Sequence, residues 1–169
     1  MNNPKASSIK RGSTIFLQGI VTLIAIGVLA FMLWEPHLEG RNVNSTWLQI
    51  YFNDPFLAYA YTGSIAFFIA AVQAFKLLGY IRRNEVFSQN AVRALRKIKY
   101  CGITIIAFLV GAEGYFFIVQ RKVEEDIAGG VMLGLILILI SAVASTVAAV
   151  FERTLQSAVD IKSENDLTV

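Results

Sequence analysis

Cysteine, histidine and charged residues are scarce in this chain of 169 residues, and each shortage excludes a kind of site. Cys101 is the only cysteine, so the chain cannot form an internal disulfide bond or a cysteine-based metal cluster. His37 is the only histidine, and it cannot build a zinc site with that one cysteine. Glycine-rich phosphate loops and the GxSxG and HExxH motifs are missing too. We therefore expect no enzyme, no catalytic residue, no metal and no cofactor.

Charged residues make up 16% of the chain, whereas a soluble domain carries about 25%. A helix needs roughly 20 apolar residues to cross the hydrocarbon core. Four runs are this long, and only Glu113 interrupts one of them: Gly12 to Trp34, Pro55 to Phe75, Tyr100 to Gln120 and Ile127 to Phe151. The sequence predicts a single all-α domain, residues 1–169. The domain is a four-transmembrane-helix bundle with spans near 13–34, 55–79, 100–120 and 127–151.

Positive charge is divided unequally between the two sides of the predicted membrane region. Three of the fifteen Lys and Arg residues fall in the 1–2 and 3–4 connections, at Arg41, Arg121 and Lys122. The others lie near the N-terminus, around the 2–3 connection and in the tail. Because basic residues near helix ends stay cytoplasmic, both termini are predicted to be cytoplasmic. Because orientation in the membrane accounts for these basic residues, the net charge of +3 does not indicate direct nucleic-acid binding.

Residues 88–99, between the second and third spans, predict an amphipathic basic helix that continues into the third span. Ser88 is a suitable N-cap, and Val92 and Leu95 fall on one face. The helix could rest on anionic lipid headgroups of the bilayer or dock an acidic cytoplasmic partner. The basic side chains proposed for either role are Arg93, Arg96, Lys97 and Lys99. The tail, residues 152–169, is predicted to continue the fourth helix into the cytoplasm.

Two short motifs outside the spans are distinctive. One follows the second span, and the other ends the chain: Phe87, Ser88, Val92, Arg93, Leu95, Arg96 and Ile98, then Glu164, Asn165, Asp166, Leu167 and Thr168. Together with four spans, they resemble a bacterial membrane family called domain of unknown function 2975, over about residues 13–169. The resemblance implies a multi-pass inner-membrane protein, often encoded beside a small helix-turn-helix repressor that could be its partner. It implies no established activity and no functional residues.

Glu113 interrupts an otherwise uncharged run, and a carboxylate there needs a reason. It lies seven residues before Gln120, which is about 10 Å deep at 1.5 Å per residue. A charge at mid-membrane costs about 2.5–3.5 kcal/mol on insertion scales. The carboxyl group should therefore face other helices and be hydrogen-bonded or protonated.

Small and hydroxyl-bearing residues fall at the same depth as Glu113 when each span is counted from its outer end. Glycines let membrane helices approach closely, and hydroxyl groups can bond a carboxyl group. The glycines of this layer are Gly27, Gly63, Gly111, Gly114 and Gly134. The expected hydrogen-bond partners are Tyr61, Thr62, Ser64 and Tyr115.

This layer has three interpretations. It could be a hydrogen bond between the second and third spans, a proton-linked or cation-binding site, or an interface in a homo-oligomer. The two halves of the chain show no inverted repeat and no span has an internal proline, which counts against transport.

We expect a non-enzymatic regulatory or interaction protein of the bacterial inner membrane that binds a cytoplasmic partner. The alternative is a small transporter or ligand-binding bundle that uses Glu113.

Overall fold

Four long α-helices make up the computed structural model, which describes residues 4–34, 46, 55–118 and 128–167. They are α1 (Pro4–Trp34), α2 (Pro55–Arg82), α3 (Gln89–Ile118) and α4 (Ala128–Leu167). Each is long and apolar enough to cross a membrane. The predicted all-α fold with four spans is therefore confirmed. The described residues do not include Arg41, Arg121 or Lys122. They also do not include Gln120, where the third span was predicted to end.

A short turn joins α2 to α3, and its residues explain where each helix stops. Asn84 has a φ of 59°, a left-handed conformation that asparagine tolerates after a helix C-terminus. The backbone N–H of Glu85 then bonds the carbonyl of Tyr80 at 2.9 Å. Ser88 caps the next helix, because its Oγ accepts the backbone N–H of Ala91 at 3.3 Å. The N-cap predicted at Ser88 is confirmed.

The helices alternate in direction along the chain, as contacts between α3 and α4 illustrate. Glu113 lies against Gly134, and Gly102 lies against Ser145. Glu113 follows Gly102 by eleven residues, whereas Gly134 precedes Ser145 by eleven, so these helices are antiparallel. The α1–α2 and α2–α3 pairs show the same reversal, through Gln18–Phe75 and Tyr61–Met32, then Gly63–Phe108 and Phe56–Tyr115. The start of α1, the α2–α3 turn and the end of α4 therefore share one end of the molecule, the termini end.

Among the described residues, extensive packing joins only helices that are neighbours in the chain. It is greatest between α3 and α4 and least between α1 and α2. The spans therefore form a row that is more open than the predicted bundle, in which helices surround a shared core. Apolar side chains of α1 such as Phe16 and Leu23 remain exposed on the protein, where a membrane would cover them with lipid.

Much of the best-buried part of the molecule lies at the termini end, beyond the uncharged runs. Helix α4 has 40 residues, about 60 Å at 1.5 Å per residue, or twice the ~30 Å hydrocarbon core. Its last turns therefore continue outside the membrane, and the first turns of α3 lie beside them. We call residues 89–99 of α3 and 152–165 of α4 the end layer. Its buried residues are Ala91, Val92, Ala94, Leu95, Glu152 and Val159.

The amphipathic helix predicted at residues 88–99 is the first part of α3 and continues into the third span, as predicted. Its apolar residues Val92 and Leu95 are buried inside the protein. This apolar face is therefore not available to lipid, whereas contact between the basic face and lipid headgroups stays a prediction. The predicted tail is helical through Leu167, and Thr168 lies outside the described residues.

Candidate functional site

Glu113 lies in the interface between α3 and α4 and is 8% exposed. Its carboxylate lies so close to Gly134 that a Cβ at position 134 would overlap Oε1. The missing side chain of Gly134 therefore makes the space that the carboxylate occupies. The other oxygen, Oε2, is buried and has no hydrogen-bond partner. Since burying such an oxygen without a partner costs free energy, the group is a candidate for binding a proton or a cation.

Two hydroxyl groups that were expected to bond Glu113 bond their own helix instead. Thr62 Oγ1 donates to the carbonyl of Ala58, and Ser64 Oγ donates to that of Tyr61, each at 2.8 Å. Glu113 faces α4, whereas Thr62 and Ser64 belong to α2. The predicted Glu–hydroxyl hydrogen bond between the second and third spans is therefore not made by these two residues.

The two tyrosines expected beside Glu113 hold helices together at other points. The Tyr61 hydroxyl donates to the carbonyl of Met32, which joins α2 to α1. The Tyr115 ring stacks on Phe56, with ring centroids 5.3 Å apart, and joins α3 to α2. These contacts give both residues a structural role in the row of helices.

The predicted glycine layer is only partly assembled. Besides Gly134, Gly63 lies against the ring of Phe108 and Gly111 against the hydroxyl of Tyr59. That hydroxyl donates to the carbonyl of Phe108 at 2.9 Å, a link between α2 and α3 that sequence reasoning missed. Gly27 and Gly114 meet no such neighbour, because a Cβ at either position would have nothing within 4 Å.

A second carboxylate, Glu152, joins the two halves of the end layer and was not singled out from the sequence. It is 7% exposed and accepts hydrogen bonds from Arg96 Nε and Lys99 Nζ, each at 2.6 Å. Arg96 and Lys99 lie three residues apart on α3, so both reach one carboxylate. Its position directly after the uncharged run of the fourth span was the available signal.

The four basic residues predicted to face a partner or lipid therefore fall into two pairs. Arg96 and Lys99 pair with the buried carboxylate of Glu152, although the Arg96 side chain itself is 50% exposed. Arg93 and Lys97 are exposed. This second pair keeps its charge available to another molecule, and its predicted role stays a prediction.

An apolar groove of about 640 Å³ lies between the α2–α3 turn and α4 at the termini end. Phe87 and Ile161 line it and are 59% and 60% exposed. Ile161 follows Phe151, the last residue of the uncharged run, by ten residues, about 15 Å along the helix. These apolar side chains therefore lie outside the hydrocarbon core. The remaining lining residues are Asn84, Glu85, Ser88, Ala158 and Lys162.

Comparisons with known proteins point to one group of membrane proteins. A family model described as protein of unknown function (DUF2975) matches residues 43–169. The uncharacterised membrane protein YoaS of Bacillus subtilis (strain 168) is 39% identical over 160 residues, which cover 94% of this chain and 99% of that protein. No solved structure matches the chain.

Proposed function

The chain belongs to the DUF2975 family of membrane proteins of unknown function, and we propose that it is a non-enzymatic interaction protein of the bacterial inner membrane. Its end layer would face the cytoplasm and bind a protein partner there. One observation carries this proposal: Phe87 and Ile161 are exposed in a groove outside the hydrocarbon core. Apolar side chains in such a place favour a protein contact, because neither lipid tails nor the described residues cover them.

The end layer is built to hold that groove in a fixed shape. Glu152 ties α4 to α3 through Arg96 and Lys99, and Val92 between these helices is fully buried. A surface that is already ordered before binding loses less conformational entropy when a partner docks. Arg96 and Lys99, which the sequence suggested for direct contact with a partner, thus help to hold the docking surface in a fixed shape.

The partner that fits this surface carries an apolar side chain beside acidic residues. Phe87 and Ile161 would receive the apolar side chain. Arg93 and Lys97, which are exposed at the same end of the molecule but do not line the groove, would attract the acidic residues. The small helix-turn-helix repressor implied by the family resemblance is the first candidate. Binding to this surface would hold the repressor at the membrane. The excess of basic residues at the termini end supports a cytoplasmic orientation of the surface.

The docking surface can be tested by capture of the intact, tagged protein from cells in mild detergent, followed by quantitative mass spectrometry. The variant Phe87→Ser/Ile161→Ser removes the apolar contact, and Arg93→Glu/Lys97→Glu reverses the exposed charge. Both should lower recovery of the same acidic protein by about tenfold or more, since central apolar contacts dominate interfaces. Arg96 is left unchanged, because its loss would disturb the end layer itself.

The matched control is Phe87→Leu/Ile161→Leu, which keeps the groove apolar and should keep the partner. All variants should show the wild-type gel-filtration profile. Recovery of an identical set of proteins by wild type and by Phe87→Ser/Ile161→Ser would rule out the groove as a docking surface.

A second candidate function, a small transporter or ligand-binding protein, is favoured by the unpartnered Oε2 of Glu113. Within the described helices, no group of three His, Cys, Asp or Glu side chains could hold a metal ion, so a proton fits this site better than a divalent cation. Under this candidate, Glu113→Gln abolishes pH-driven proton flux into proteoliposomes, read with an internal pH dye, while the protein stays folded. Normal flux in Glu113→Gln would exclude Glu113 as the coupling acid.

A further inference from the structure

A second cleft, between α1 and α2, carries positive charge that nothing in the described protein neutralises. We propose that this cleft binds the phosphate group of an anionic membrane phospholipid. The site is separate from the docking groove and from Glu113. It is lined by Gln18, Phe75, Lys76, Gly79, Tyr80, Arg82 and Arg83.

The inner wall of the cleft is a fixed contact between the two helices. Gln18 of α1 is 7% exposed, and its Nε2 donates to the carbonyl of Phe75 on α2 at 3.1 Å. Gly79 lies beside this contact, and a Cβ there would be 3.7 Å from Gln18 Nε2. Gly79 is also one of the residues that line the cleft, which has a volume of about 280 Å³.

Three cations line this opening: Lys76, Arg82 and Arg83. Among the described residues, none of the three has a carboxylate oxygen within 4.0 Å. Arg96 and Lys99, at the same end of the molecule, share Glu152. Within the described residues, no carboxylate therefore compensates the charge of the cleft, and a bound anion would do so.

The depth of the cleft matches a phospholipid headgroup. Lys76 lies six residues before Arg82 on α2, about 9 Å deeper in the membrane region. Its long side chain can extend toward the surface, where a phosphate would offset the cost of a charge near hydrocarbon. Arginine forms paired hydrogen bonds with phosphate oxygens, and basic clefts between membrane helices bind anionic headgroups.

The hydrophobic surface next to the cleft suits the acyl chains of the same lipid. Val72 and Ile69 lie deeper on α2 than Lys76 and are exposed on the protein. Tyr80 lines the cleft, and its amphipathic ring fits the interface between headgroups and hydrocarbon. A bound anionic phospholipid would thus contact charge, interface and apolar surface in the order in which the membrane presents them.

The test is native mass spectrometry of the full-length protein, stripped of lipid in detergent and titrated with phosphatidylglycerol, phosphatidylcholine or inorganic phosphate. Wild type should bind one phosphatidylglycerol in preference to phosphatidylcholine. Lys76→Gln/Arg82→Gln/Arg83→Gln should weaken that binding roughly 100-fold, because each cation near an anionic headgroup contributes separately. The single variants Arg83→Gln and Arg153→Gln form a matched pair, because each removes one exposed charge, inside and outside the cleft respectively. Arg83→Gln should bind several-fold more weakly, whereas the control Arg153→Gln should bind like wild type.

Gly79→Leu keeps every charge and fills the opening, so it should also weaken phosphatidylglycerol binding. This variant tests the site independently if the triple charge variant does not fold. Gel filtration and thermal unfolding would reveal such a folding failure. Equal losses in Arg83→Gln and in its control Arg153→Gln would show diffuse electrostatic attraction and overturn the site. If inorganic phosphate binds the lipid-free protein as tightly as phosphatidylglycerol does, the ligand is a soluble phosphate and the lipid proposal is wrong.

Discussion

At the scale of single residues, Glu113 and Gly134 form a complementary pair, in which the carboxylate occupies the space that a side chain would fill. Counting residues from the outer ends of the spans predicted that both lie in one layer, because depth follows from the helical rise. Which helix Glu113 faces could not be predicted that way. The rotation of each helix about its axis is set by packing with its neighbours. In this structure the carboxylate faces α4 and not the hydroxyl groups of Thr62 and Ser64 on α2.

This pairing predicts opposite outcomes for two glycines of α3 and α4. Gly134→Ala should destabilise the protein by about 1–3 kcal/mol, because its methyl group would overlap the Glu113 carboxylate. Gly114→Ala should be neutral or stabilising, since a Cβ there meets nothing within 4 Å. Thermal unfolding in detergent measures both. Adding Glu113→Ala should restore the stability of Gly134→Ala, and a loss that persists in that double variant would contradict the pairing.

At the scale of elements, the end layer shows why α3 and α4 continue past the hydrocarbon core. The sequence predicted both extensions, since Ser88 marks a helix start and the tail keeps helical spacing. It did not predict that Glu152 pairs with Arg96 and Lys99, because the partners are 56 and 53 residues apart in the chain. Pairing across such a distance depends on how α3 and α4 align, which the spacing within either helix does not reveal.

Arg93 and Arg96 lie about one turn apart on α3, and they allow the stability effect of an unpaired charge to be compared with that of a paired charge. Arg96→Gln should lower the unfolding midpoint by a few degrees, because it leaves the buried Glu152 with Lys99 alone. Arg93→Gln should leave the midpoint unchanged, since Arg93 is exposed and makes no ion pair in the described structure. Thermal unfolding in detergent checks both. In a Glu152→Gln background, Arg96→Gln should cost less, and an equal cost in both backgrounds would show that the ion pair adds nothing.

At the scale of the whole molecule, four antiparallel helices form a row with a well-packed layer outside the membrane. The number of spans could be predicted because length and hydropathy are local properties. The open row could not, because a helix face that meets lipid is as apolar as one that meets another helix. The exposed surface of α1 and the closely packed pair α3–α4 illustrate this limit. Among the described residues, the charged side chains lie chiefly at the termini end.

The measurement that tests the docking surface most directly is photo-cross-linking in living cells from single positions on α4. A photoreactive amino acid replaces Ile161, which lines the groove, or Ser163, which lies about 200° around the helix from Ile161. We predict a discrete adduct with one cytoplasmic protein from position 161, and none from position 163. Adducts with lipid alone from position 161, or the same protein adduct from both positions, would contradict the proposal that this groove docks a partner.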